Sequence, residues 1–397
     1  MSQRSKSTYG DWRSVLEDLE HPVKELRHEL HAHPELSDRE EETAGRIIAY
    51  LSDHGLKPVA DDVGGHGLLY TLEGEKGDGR KLLFRGDMDA LPLHEKGDPP
   101  HASKKEGIHH ACGHDGHMAM LTGALAALAA RRDAWGGTIH ALFQPSEETG
   151  QGGAKVLEHG KMQDLEVDLA FAFHNIPGQS LGSVALRRGT MACASTGVHV
   201  RFEGATSHAS EPNLGKNPIP ALAKLAMSAL ALPGQTVPFG HSALATLIHL
   251  DAGEIAYGTS AGSGSLRVTL RAAKEEHLDA MRDRFRDQAK AYADPGGFEF
   301  LFEEHERFPA TVNHDAAVDH ALRALEAKRL EVVRPKRAFP WSEDFGHITN
   351  KWPGALLGLG AGEDQPPLHT PSYDFPDALL LPGIRVWLAL ATGGEVA

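Results

Sequence analysis

The sequence predicts an α/β protein, a mixed sheet between helices, interrupted by a smaller α+β domain. Three observations carry that expectation. At 397 residues the chain is longer than one ordinary hydrophobic core organises, so two domains are expected. Apolar strand-like runs alternate with stretches of helical period in the first half and again near the end. Between residues 195 and 305 the rhythm changes to β-α-β-β-α-β, the split βαβ or ferredoxin-like pattern, which is a complete small domain. The boundaries expected are therefore 1–194 and 306–397 for the larger domain and 195–305 for the insertion.

Taken in order, residues 12–32 carry Trp12, Val15, Leu16, Leu19, Val23, Leu26 and Leu30 at helical spacing. Ser37 and Glu40 read as a capping box opening a second helix that ends near Gly55. Apolar runs from Gly67 and from Lys81 read as strands, the second leading straight into Asp87 and Asp89. A helix is expected over 117–131, from strong helix formers. Thr138–Gln144 is a further buried strand that leads into Glu147 and Glu148, and Leu165–Phe173 is another that ends in His174. Three strands delivering polar groups at the same relative position point to one site at one edge of one sheet, where open α/β sheets place their ligands. In the insertion, strands are expected from Gly197, over 243–250 and 264–271 and from Phe298, with helices over 218–232 and 274–293. Asn313–Arg329 then reads as a helix, the run from Ala355 as a strand, and Asp377–Thr392 as the closing helix.

Bulk composition narrows the function classes. The residues are 41% hydrophobic and 24% charged, as in a globular protein that dissolves in water. Forty basic against 55 acidic residues give a net charge of −15, which argues against nucleic acid and anionic membrane as partners. The first residues lack the apolar core of a signal peptide, and no run of about 18 apolar residues suggests a membrane span. Two cysteines, Cys112 and Cys193, make no disulfide framework and fit a reducing cytoplasm.

Ala111-Cys112-Gly113-His114-Asp115-Gly116-His117 concentrates a thiol, two imidazoles and a carboxylate where a loop feeds a helix N-terminus. With 25 histidines in the chain, a half-buried cysteine among surface histidines is an equal reading of that stretch alone. The strand ends decide between the two. Together Asp87, Asp89, Cys112, His114, Glu147, Glu148, His174 and His369 offer imidazole, thiolate and carboxylate, a set that suits Zn, Mn, Co or Ni rather than Ca or Mg. Five or more candidate donors exceed what one tetrahedral ion takes, so two divalent ions that activate water and polarise a carbonyl are expected, with Mn or Zn favoured. Within Glu147-Glu148, one carboxylate can ligate metal while the other holds the proton of water. Asp87 and Asp89 read as supports behind the ligands, and His109, His110, His117 and Cys193 as structural. No HExxH, zinc-deaminase or phosphate-loop motif is present.

With those residues in view, the chain resembles the amidohydrolase family of hippurate hydrolase, N-acyl-amino-acid amidohydrolases and plant auxin-conjugate hydrolases. These are relatives of aminoacylase and glutamate carboxypeptidases. The resemblance spans nearly the whole chain. It rests on Arg85-Gly-Asp-Met-Asp-Ala-Leu-Pro, His110-Ala-Cys-Gly-His-Asp-Gly-His, Gln144-Pro-Ser-Glu-Glu, His174-Asn-Ile-Pro-Gly, Ser207-His-Ala-Ser-Glu-Pro and Leu368-His-Thr-Pro-Ser-Tyr-Asp-Phe.

The resemblance implies a di-metal, aminopeptidase-like catalytic domain with an inserted ferredoxin-like lid that often dimerises. It implies Cys112, His114, Glu148, His174 and His369 as metal ligands, with Cys112 bridging, and Glu147 as general base and then acid. It also implies that His208 stabilises the oxyanion, commonly across the dimer. Relatives often carry an Asn-x-Ile-Pro segment in the lid where this chain has Ala256-Tyr257-Gly258-Thr259-Ser260. Arg271 is then either a partner for a substrate carboxylate or an exposed strand-end arginine.

The reading that results is hydrolysis of N-acyl or N-aroyl amino acids by metal-activated water, in a cytoplasmic homodimer joined through the lid. The alternatives on the same metals are a dipeptidase or carboxypeptidase and an aromatic-amine deaminase. Beyond these stand a cysteine hydrolase using Cys112 with His114, and a non-catalytic metal-binding dimer.

Overall fold

The computed structural model describes residues 12–394. The N-terminal stretch read above for a signal peptide lies outside the described residues. The chain opens with α1 (Trp12–Ala32), whose Val15, Leu16, Leu19, Val23, Leu26 and Leu30 form one buried face. Next comes α2 (Glu41–Asp53), and here the expected capping box is corrected. Glu40 stands at the N-cap position, but neither its side chain nor that of Ser37 caps the helix. The Ser37 hydroxyl donates to Asp89 Oδ2 at 2.7 Å, and Glu40 Oε1 accepts the Ser146 N–H at 2.8 Å. Glu35 serves the helix instead, accepting the N–H and hydroxyl of Thr43 at 2.7 and 2.9 Å. Local spacing matched the motif, but both side chains have partners far away in sequence.

Four strands and a central helix follow: β1 (Ala60–Val63), β2 (Gly67–Glu73), β3 (Lys81–Asp87), α3 (His114–Ala130) and β4 (Thr138–Gln144). After α4 (Gly152–Glu158) come β5 (Leu169–Ile176) and the short β6 (Val184–Ala185). Helix α3 starts three residues before the position expected from its helix formers, so His114 and His117 both lie on it. It is buried through Leu128, as its Ala- and Leu-rich sequence requires. Helix α1 packs closely on it: a Cβ at Gly123 would stand 2.8 Å from Val23.

The inserted unit consists of β7 (Ala194–Glu203), α5 (Ile219–Thr236), β8 (Ala243–Ala252), β9 (Ser263–Ala272), α6 (Glu275–Gly296) and β10 (Glu299–Phe308). Its four strands form an antiparallel sheet in the order β8-β9-β7-β10, the ferredoxin-like arrangement, with both helices packed on it. By contact the unit comprises Ala192–Thr311 together with Arg337–Glu343. The second of these is a return segment that no periodicity in the sequence marks: Cys193 N–H bonds to the carbonyls of Phe339 and Trp341, at 3.2 and 3.0 Å.

The rest of the chain completes the larger unit with α7 (Asp315–Ala327), β11 (Val332–Val333), β12 (Gly354–Gly360) and α8 (Leu380–Thr392). The large sheet runs β1-β2-β4-β3-β5-β12-β6-β11, and its central strands β4, β3, β5 and β12 are mutually parallel. Trp387 of α8 lies against this sheet, with ring centroids 3.7 Å from Phe173 and 4.4 Å from Phe84. No helix among the described residues is long and apolar enough to cross a membrane.

Candidate metal centre

Parallel neighbours end at the same edge, so β3, β4 and β5 deliver their polar groups together. Asp87 is the last residue of β3 and Asp89 follows it; Glu147 and Glu148 stand just past β4; His174 lies within β5. Cys112 sits on the loop that opens α3, and His114 is the first residue of that helix. Between them Gly113 has φ 89°, and a Cβ there would meet the Asn175 amide at 2.8 Å, so the tight approach requires glycine. His369 arrives on the loop after β12, its N–H bonded to the Ala111 carbonyl at 2.9 Å. Two non-glycine residues, Ser146 and His369, hold left-handed φ values of 59° and 58°, strain that aims the side chains beside them.

The donor atoms converge. His369 Nε2 is 3.3 Å and His174 Nε2 3.5 Å from Cys112 Sγ. Glu148 Oε1 is 3.6 Å from His369 Nε2 and 3.8 Å from His114 Nε2. Cys112, His114 and His174 are buried, whereas His369 lies on the rim with its side chain 54% exposed. His114 donates Nδ1–H to the Asp89 carbonyl at 2.8 Å, which fixes its tautomer and turns Nε2 into the cluster. There Nε2 is buried with no hydrogen-bond partner. An orphaned imidazole nitrogen facing a thiol and a carboxylate is what a borderline divalent metal ion would satisfy, so the residues present fit the expected ions.

Electrostatics agree with that fit. Burial, reinforced by the carboxylates of Glu148, Glu147 and Asp87, pushes the Cys112 thiol far up, so its thiolate needs a nearby cation. Burial with Asp89 and Asp87 raises Glu148 to about 7, against the opposing pull of His114. Burial and His117 drop His174 to about 3, leaving it the neutral imidazole a metal takes. Burial opposes charge on His114, yet Asp87, Asp89 and Glu148 lift it to about 10. A cation in the cluster would replace that proton.

Asp87 and Asp89 lie directly behind the donors. Asp89 accepts backbone N–H groups from both Glu147 and Glu148, and Asp87 Oδ1 is 2.6 Å from His117 Nδ1. His117, read as structural from sequence, is thus drawn into the site's support, and its Nε2 stands 2.6 Å from Asn175 Oδ1. The three-residue spacing from His114 on one helix was the available signal. Asp344 carried no signal, because Trp341-Ser-Glu-Asp-Phe matches no motif. It accepts from Arg85 at 2.7 Å, from Gln144 at 2.9 Å and from the Gly153 N–H at 2.6 Å, while its own N–H donates to Glu147 Oε1 at 3.3 Å.

His208 and Arg271 belong to the inserted unit. His208 is exposed; it pairs with Thr259, and its Nδ1 is 2.6 Å from Ser210 Oγ. The segment that departs from the relatives' Asn-x-Ile-Pro therefore braces His208: Gly258 accepts the Ala209 N–H at 3.0 Å, and Ser260 Oγ is 2.9 Å from Ser207 Oγ. Arg271 is not an exposed strand-end residue. It is half-buried and donates to Ser342 Oγ at 2.8 Å, and burial lowers its pKa.

Residues 83–393 match the model of peptidase family M20/M25/M40. The chain belongs to that family. Among its relatives, a hippurate hydrolase of Campylobacter jejuni is 32% identical, over 94% of this chain and 97% of that protein. An N-acetyl-L-cysteine deacetylase of Bacillus subtilis is 30% identical, over 92% of this chain and 86% of that protein. In fold, the chain is similar to the YXEP protein of Bacillus subtilis, described as a dinuclear metal-binding peptidase of the M20 family. The TM-score is 0.80 at 25% identity, over 95% of this chain and 98% of that one. A chain from methicillin-resistant Staphylococcus aureus shares the fold with a TM-score of 0.85 at 24% identity, covering 97% of this chain and 98% of that one. As an M20-family protein, this chain is an amide-bond hydrolase with a metal-ligating cluster.

Proposed function

We propose that this M20-family enzyme hydrolyses the amide bond of N-acyl or N-aroyl amino acids, with two divalent ions held by Cys112, His114, Glu148, His174 and His369. One observation carries the reading: these donors converge on the partnerless, buried Nε2 of His114, with Glu147 beside them. The substrate class is supported by the hippurate hydrolase and deacetylase relatives.

When bound, two such ions acidify water and polarise the acyl carbonyl. Glu147 Oε1 accepts the Asp344 N–H, and Oε2 faces His114 Nε2 at 4.0 Å. Oε2 is therefore the atom placed to take a proton from water and return it to the leaving amine. Cys112 would supply a thiolate to the ions. His208 is assigned to the oxyanion on its motif, with the 258–260 strap holding it in place. Pairing of two copies through the inserted unit is supported by exposed Leu244, Ile248 and Leu250 on edge strand β8.

The test is to strip the protein with chelator, reload it separately with Mn, Co, Zn or Ni, and assay acetyl and benzoyl amino acids beside dipeptides and aromatic amines. Metal-restored release of free amino acid from the acyl substrates is expected. Cleavage of dipeptides alone makes it a peptidase, and release of ammonia a deaminase. Hydrolysis that survives chelation but not iodoacetamide would transfer the chemistry to Cys112 as nucleophile.

A further inference from the structure

We propose a third divalent-metal site, separate from the Cys112 cluster, formed by His31, Glu95 and His109. Glu95 Oε1 lies 3.3 Å from His31 Nε2 and 3.8 Å from His109 Nε2, and the three donors stand within 4.8 Å of one another. Bonds of about 2.0–2.1 Å in a tetrahedral site set neighbouring donors about 3.3 Å apart, so little adjustment is needed. Two imidazoles and one carboxylate suit zinc, cobalt or nickel.

The supporting groups are also in place. His31 Nδ1 is 2.8 Å from Asp115 Oδ2, the carboxylate–histidine pairing that orients a metal-binding imidazole with Nε2 outward. The other Glu95 oxygen accepts the Ser103 N–H at 2.7 Å, which steers Oε1 toward the two histidines. His109 supplies the independent observation. Its side chain is fully buried, neither ring nitrogen meets hydrogen-bond geometry with a described group, and Nε2 faces Glu95. The Tyr373 backbone is its other polar neighbour. A buried Nε2 that faces a carboxylate beyond hydrogen-bond distance is costly unless something coordinates it.

The neighbouring set of His31, His101 and Asp374 is not a second such site, since the Arg27 guanidinium lies among these residues, 3.0 Å from His101 Nε2 and bonded to Asp374. The positive charge of Arg27 is itself matched by Asp115, Asp374 and Asp377.

The ligands come from three places: the end of α1, loop 92–108, and the neck of that loop, where Leu91 and His109 exchange backbone hydrogen bonds of 3.0 Å. An ion here clamps the loop to α1. This role is structural, and it does not depend on the substrate or mechanism proposed above.

The experiment loads chelated wild type, His109→Leu and Glu95→Gln with excess Zn²⁺, removes free metal, and counts zinc per chain. Three equivalents in the wild type and two in each variant are expected. Two in the wild type, or equal counts in all three proteins, overturn the third site. Cobalt loading separates this from the main cluster, because the thiolate–cobalt absorption reports Cys112 alone. That band stays unchanged across the three proteins if the site is separate. Its absence everywhere defeats the Cys112 assignment instead. As a check that needs no variant, hydrogen exchange over 92–108 in the wild type slows by about tenfold on adding the third equivalent. Unchanged exchange overturns the clamp.

Discussion

The Asp89 carboxylate fastens the backbone of Glu147. Its Oδ1 accepts the Glu147 N–H at 3.0 Å, while Oδ2 accepts the Glu148 N–H at 3.0 Å and the Ser37 hydroxyl at 2.7 Å. The backbones of two carboxylates proposed for different tasks are thereby held by a third. In Asp89→Asn one oxygen becomes an N–H₂ that cannot accept, so one of the two backbone anchors is released. Supports of this kind cost about 10- to 100-fold in metal affinity or activity when removed. The expected outcome is a loss of that size in kcat with a destabilisation of about 1–3 kcal/mol from the unsatisfied buried N–H, checked by steady-state kinetics beside calorimetry.

Glu147 meets the Asp344 N–H with one oxygen and faces His114 Nε2, 4.0 Å away, with the other. Glu147→Gln keeps size and hydrogen bonding but cannot carry the proton. It is expected to retain its full metal content and lose about 10²- to 10⁴-fold in turnover. Metal analysis and kinetics on the same sample decide this, and activity near that of the wild type would remove Glu147 from the role.

Glu40 makes stability depend on pH. Burial, with Asp89 close by, raises its carboxyl from 4.5 to about 7, and Oε2 has no hydrogen-bond partner. The folded pKa lies above the unfolded one, so the folded state holds the proton more tightly. The contribution is complete below pH 4.5 and is lost as pH rises through 7. In metal-free protein, denaturant midpoints for the wild type should fall across that window relative to Glu40→Gln. Parallel pH profiles for the two proteins would contradict the assignment.

Trp387 holds α8 to the sheet through Phe173 and Phe84, and it is 2% exposed. Trp387→Ala leaves a cavity among rigid neighbours, and about 3–5 kcal/mol of stability is expected to be lost. Trp387→Phe should lose much less, because one aromatic contact survives. Chemical denaturation of both variants measures the difference.

Legibility in the sequence followed the range of the interactions involved. Strands β3, β4 and β5 were visible because each is a continuous apolar run, and their polar ends followed from reading the chain outward. The ferredoxin-like order is legible from a different pattern, since strands such as β7 and β9 alternate buried and less buried positions. The capping-box pattern is misleading, because Ser37 and Glu40 satisfy a local spacing while their side-chain partners, Asp89 and Ser146, are 52 and 106 residues away. Nothing near His117 in sequence shows that Asp87, 30 residues back, meets it at 2.6 Å. Asp344 could not be read at all. Its contacts with Arg85 and Glu147 span 259 and 197 residues.

By itself, the sequence determined which chemical groups this protein brings to the C-terminal edge of its sheet. Hydrophobic periodicity sets the strands, parallel strands end together, and the residues at or close to each end are thereby committed to the site. Only the tertiary structure decided how those groups are held: which nitrogen of His114 faces the cluster, which carboxylate pins Glu147, and that Arg337–Glu343 returns to the inserted unit. The physical reason is that orientation depends on hydrogen bonds closed between distant segments. Those partners are chosen by packing of the whole chain, and no local pattern encodes them.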